Sequence, residues 1–180
     1  LLLGVPTEPP APEPSSLATL FRESAALDLD QLAGIALRIA AAPQDEQARI
    51  EMGCVLLVGG EAHWAEQAML PAFHPGAGAS FLRVLSGLWA VLGRMDRALD
   101  AARSASERAP DVADYHIHHA GLLLNGSDPG LALLAAGRAI GLEPGNAVAW
   151  RFASSAYLSL GLTAEAIDAS RRAAALSQDQ

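Results

Sequence analysis

The 180 residues are enough for one ordinary domain and too few for two large ones. Half of the chain is apolar (51%) but only 5% is aromatic, so small side chains, with 38 alanines foremost, must fill the core; that blend favours closely packed helices over sheets. All 12 basic residues are arginine, which excludes chemistry built on a phosphate-loop, Schiff-base or kinase-type lysine, and the net charge of −8 argues against a nucleic-acid partner.

Leu1-Leu2-Leu3-Gly4-Val5 is too short for the apolar region of a signal peptide and has no basic residue before it. The missing initiator methionine is what a piece of a longer chain would show. No run approaches the roughly 20 apolar residues that cross a bilayer, so no membrane partner is expected. Residues 1–16 are rich in proline and read as a disordered linker. Ser15 or Ser16 can then cap a helix from Leu17, with apolar positions at Leu20 and Phe21. A turn over Asp28 to Asp30 leads to a second helix through Leu32, Ile35, Ala36 and Ile39, closed by Pro43. Residues 17–43 thus form a helical hairpin cap. Residues 46–78 hold a second unit, with Gly53, Leu56, Gly60 and Ala65 at the slot spacing of the repeats that follow in the chain, which ends in the breaker-rich loop Pro71 to Gly78.

From Ala79 onward the chain repeats itself every 34 residues, in the blocks 79–112, 113–146 and 147–180. One slot holds Ala98, Ala132 and Ala166, and another, seven residues later, Ala105, Ala139 and Ala173. A third holds the bulky Trp89, Leu123 and Tyr157, and the turn between helices holds Gly93, Ser127 and Gly161. Antiparallel helices that cross closely need a small residue at the crossing and a large one opposite. The turn slot needs a residue that tolerates a positive backbone angle. Such units cannot bury their faces alone and must stack.

The last block, with Trp150, Tyr157, Gly161, Ala166 and Ala173 in register, resembles a tetratricopeptide repeat along its whole length. The two blocks before it are similar but less complete, with His119 where leucine is usual and Asn125-Gly126-Ser127 at the turn; residues 46–78 are a degenerate fourth copy. The resemblance implies an all-α, right-handed α-solenoid of antiparallel helix pairs, with three to four repeats after an N-terminal hairpin. It also implies a concave groove, lined by the first helix of each repeat, that grips a protein or peptide.

The groove residues it implies are Arg83, Val84 and Gly87; Ile117, His118, Gly121 and Asn125; and Arg151, Phe152 and Ser155. Relatives that clamp an acidic carboxyl terminus use lysines and asparagines there, so the glycines and Ser155 speak against that clamp. The cluster Tyr115-His116-Ile117-His118-His119 offers metal-ligand spacing, but no further ligands recur around it, so no metal and no cofactor are expected. Ser86, Ser154 and Ser155 read as small residues at helix crossings, and no nucleophile elbow or metalloprotease motif occurs, so the chain is not expected to be an enzyme. Cys54 excludes an intrachain disulfide and reads as a buried, inert thiol, which suits the cytoplasm. The function expected is therefore a protein- or peptide-binding scaffold. The alternative is the non-catalytic, acceptor-docking arm of a larger bacterial enzyme such as a glycosyltransferase. The leucines beside Ala173-Ala174-Ala175 add an expectation of weak dimerisation through the last repeat.

Overall fold

A computed structural model of the chain describes residues 29–178, divided between Ala72 and Phe73 into two compact units. The proline-rich segment and the first helix expected of the hairpin lie outside these residues.

The first unit holds α1 (Leu29–Ala41), α2 (Glu46–Val58), α3 (Ala62–Met69) and a single 3-10 turn (Leu70–Ala72). The turn expected over Asp28 to Asp30 is corrected here, since positions 29 and 30 already belong to α1. Acidic residues suit the first turn of a helix as well as they suit a loop. Leu32 and Ile35 form the buried stripe of α1, and Arg38 pairs with Glu51 of α2. Asp45 starts α2 by accepting the amide of Ala48 at 3.0 Å. Along α2 the buried line runs through Arg49, Met52, Gly53 and Leu56. Cys54 falls nearly half a turn from that line and is exposed, not buried as its apolar neighbours suggest.

The second unit holds six helices in three pairs: α4 (Ala79–Val91) with α5 (Met95–Arg108), α6 (Ala113–Asn125) with α7 (Pro129–Leu142), and α8 (Ala147–Ser159) with α9 (Thr163–Gln178). The first helices open at Ala79, Ala113 and Ala147, one period apart. The six small-slot alanines between paired helices are all buried, none more than 3% exposed, with Trp89 and Leu123 buried opposite them. Successive first helices pack on one another more than successive second helices do, which puts α4, α6 and α8 on the inner face. The architecture is an all-α helical-repeat solenoid.

Each pair turns the same way. Gly93, Ser127 and Gly161 take φ of +73°, +64° and +77°, and Gly60 in the first unit takes +85°. The amide after each reaches back five residues: Arg94 to the Trp89 carbonyl at 2.8 Å, Asp128 to Leu123 at 2.9 Å, Leu162 to Tyr157 at 2.9 Å, and Glu61 to Leu56 at 2.8 Å. These bonds satisfy carbonyls that the end of a helix leaves without partners.

A second device recurs at the fourth position of the first helices. Trp150 donates its indole N–H to the carbonyl of Pro144 at 2.9 Å, His116 donates Nε2–H to Pro110 at 2.9 Å, and Arg49 of α2 donates Nε–H to Pro43 at 2.6 Å. Each is a side-chain strut to the proline six residues earlier. At Leu82, which has no N–H to give, Arg108 instead binds the carbonyls of Pro75 and Ala77 and holds that loop. Phe73 meets Trp89 edge-on beside it, 5.4 Å between ring centres.

Candidate functional site

On the inner face of the second unit α4, α6 and α8 enclose an open hollow of about 580 Å³. Arg83 enters from α4; Asp114, Ile117, His118, Gly121, Leu124 and Asn125 come from α6; Val148, Phe152 and Ser155 come from α8. Seven of the ten residues expected in the groove therefore come together here: Arg83, Ile117, His118, Gly121, Asn125, Phe152 and Ser155. Val84, Gly87 and Arg151 sit on the same helices but do not line this hollow. Helical spacing marks out a broad face, and the hollow takes a narrower arc of it. Asp114, Leu124 and Val148 do line it; their helical spacing from Ile117, Gly121 and Phe152 was the available signal.

The hollow is built by contacts between successive repeats. Arg83 Nε donates to Asp114 Oδ2 at 3.1 Å, joining α4 to α6. Ser86, fully buried, donates its hydroxyl proton to the Arg83 carbonyl at 2.7 Å. A hydroxyl has one proton, so the contact of 2.6 Å between Ser86 Oγ and His118 Nε2 requires the ring N–H to donate. Burial pushes His118 down to about 4, helped by the Arg83 guanidinium and opposed by Asp114, so the ring is neutral near pH 7. A base that activates serine must accept its proton. This pair runs the other way, and its geometry is that of a structural tie.

His118 and Phe152 occupy the same slot one repeat apart, and each ring covers a glycine of the preceding repeat. A Cβ at Gly87 would stand 3.7 Å from His118 Cε1, and one at Gly121 only 3.1 Å from Phe152 Cζ. The floor is thus ring against backbone. The histidine cluster is dispersed: His116 is a buried strut, His118 faces the inner hollow, and His119 borders a separate hollow between α5 and α7. Among the described residues no group of three potential ligands converges on a metal site. Ser154 donates to the Ala166 carbonyl across its helix pair at 2.8 Å, whereas Ser155 is exposed and lines the hollow.

Solved structures with the same arrangement are found at low sequence identity. MamA matches with a TM-score of 0.72 at 18% identity, over 81% of this chain and 85% of its own. YrrB, described as a tetratricopeptide-repeat protein with an unusual peptide-binding site, matches at 0.69 and 18% identity, over 92% of this chain and 82% of its own. The chain has the tetratricopeptide-repeat fold. No family model matches it. Among curated proteins, cellulose synthase operon protein C of Pseudomonas fluorescens is 32% identical over 92 residues. That stretch is 51% of this tetratricopeptide-repeat chain and 7% of the much longer relative.

Proposed function

We propose that the chain is a non-catalytic scaffold that binds a protein or peptide in the hollow along α4, α6 and α8. The observation that carries the reading is the hollow itself, lined by three successive repeats and walled by Ile117, Leu124, Val148 and Phe152. Apolar walls with a few polar groups are what peptide recognition uses. The structural neighbour with a peptide-binding site supports it. The buried, proton-donating Ser86 supports the absence of catalysis. The single cysteine and the absence, among the described residues, of a helix long and apolar enough to cross a membrane support a cytoplasmic setting. Val148→Glu with Ser155→Glu places two carboxylates in the hollow at exposed helical positions. Partners captured from cells by the wild type should be lost with this variant while its circular dichroism is unchanged; an identical capture profile overturns the reading.

A second reading makes the chain the acceptor-docking arm of a larger bacterial enzyme, such as a glycosyltransferase. The 92-residue similarity to cellulose synthase operon protein C supports it. The full reading frame tests it, and a frame that encodes these 180 residues alone overturns it. Weak association of two copies through the last repeat belongs to the same set of proposals, supported by the exposure of Leu158, Leu160, Leu162 and Ile167.

A further inference from the structure

We propose that the hollow takes an uncharged peptide segment carrying bulky apolar side chains, and that it discriminates against both acidic and basic segments. This rests on the reading of the hollow as a peptide groove and adds the chemistry of its occupant.

Three ionisable groups line the hollow, and none offers an unmet charge. Arg83 and Asp114 are paired with each other at 3.1 Å, a net charge of zero. A peptide carboxylate that approached Arg83 would meet Asp114 beside it, and a peptide cation at Asp114 would meet Arg83. His118 has its Nε2–H committed to Ser86 and its ring laid over Gly87. The equivalent slots Gly87 and Gly121 bring no side chain to the floor, and the rings above them leave little room for one. A charge that enters this hollow meets a cation and an anion side by side at its edge, so neither sign finds a net attraction there.

The remaining lining favours an apolar occupant. Ile117, Leu124, Val148 and Phe152 form the walls, with Val148 37% exposed, so an inserted side chain removes apolar surface from water on both partners. At the rim, Asn125 and Ser155 are exposed and neutral. Each can both donate and accept, which is what a peptide backbone requires. Charge is thus matched by neutrality, and specificity falls to side-chain shape.

The experiment is selection of a phage-displayed library of random dodecamers on the whole 180-residue chain. The expected result is enrichment of peptides with net charge near zero and a bulky apolar residue at a fixed position. Their affinity should fall about tenfold or more with Val148→Glu and Ser155→Glu, and change less than about twofold between about 50 and 500 mM salt. Should that variant misfold, Asn125→Arg serves in its place. Enrichment of acidic peptides lost with Arg83→Gln, or of basic peptides lost with Asp114→Asn, overturns the chemistry and leaves the groove standing. Peptides that bind the Val148→Glu, Ser155→Glu variant as well as they bind wild type, or no enrichment at all, overturn the groove as well. Basic peptides that bind the variant better report attraction to the net charge of −8 and likewise count against the proposal.

Discussion

Ser127 holds a backbone conformation that glycine holds in every equivalent turn. Its φ is +64°, against +73° at Gly93 and +77° at Gly161, and a Cβ at either glycine would meet nothing within 4 Å. Exchanges at this slot therefore probe backbone strain with no packing change. A non-glycine residue in this region costs about 1–2 kcal/mol, and glycine returns about 0.5–1 kcal/mol to the unfolded chain as entropy. Ser127→Gly should thus stabilise the protein by about 0.5–1 kcal/mol, a rise in Tm of about 1–4 °C at this size. Gly93→Ser and Gly161→Ser should each cost a similar amount. Urea unfolding followed by circular dichroism at 222 nm measures all three. Hydrogen exchange of the Asp128 amide, bonded to the Leu123 carbonyl at 2.9 Å, should slow in Ser127→Gly as the turn tightens. A less stable Ser127→Gly, or serine tolerated without loss at both glycines, would refute the argument.

His118 makes stability depend on acid. Its folded value of about 4 lies below the ordinary 6.5, so the unfolded chain binds its proton first. The contribution is complete above pH 6.5 and is lost as pH falls toward 4, by about 1–2 kcal/mol once partial exposure is allowed for. Unfolding measured across that range should show a shallower slope in His118→Gln, the remainder coming from His119, which burial also holds below its ordinary value; an unchanged slope refutes the assignment. His116→Leu leaves the Pro110 carbonyl without its strut and should cost about 1–3 kcal/mol, and Trp150→Phe, which removes the indole N–H together with part of the ring under Arg172, should also cost about 1–3 kcal/mol in the same unfolding assay. Leu160→Glu with Leu162→Glu, at positions 42% and 41% exposed, should convert a weakly associating chain to monomer without loss of helicity, as light scattering reads; a wild type already monomeric at high concentration refutes that association.

The repeat was legible because its slots are steric. A crossing that admits only alanine and a turn that needs positive φ leave marks in residue identity, and Ala98, Ala132, Ala166 and the Gly93 slot carry them. The strut was not, because its requirement is an N–H, which Arg49, His116 and Trp150 supply with three unlike side chains. The site was legible as a face and illegible as a set of contacts. Arg83 and Asp114 lie 31 residues apart and Ser86 and His118 lie 32, separations that become contacts only when one helix pair stacks on the next. The exposed Cys54 shows the same limit from another side. Its neighbours are apolar, but the helix places Met52, Gly53 and Leu56 inward and turns position 54 away.

The ring laid on the glycine of the preceding repeat has an evolutionary consequence. Because His118 on Gly87 and Phe152 on Gly121 are one joint made twice, loss of residues 113–146 would bring Phe152 onto Gly87 and re-form a seam of the same kind. Gain of a copy would do the same at a new boundary. Unequal recombination within such a gene can therefore lengthen or shorten the array without passing through an unfolded intermediate sequence. The joint constrains only its own two slots. Each new copy is then free to drift at the positions outside them, as Ile117 and Arg151, one period apart, already have.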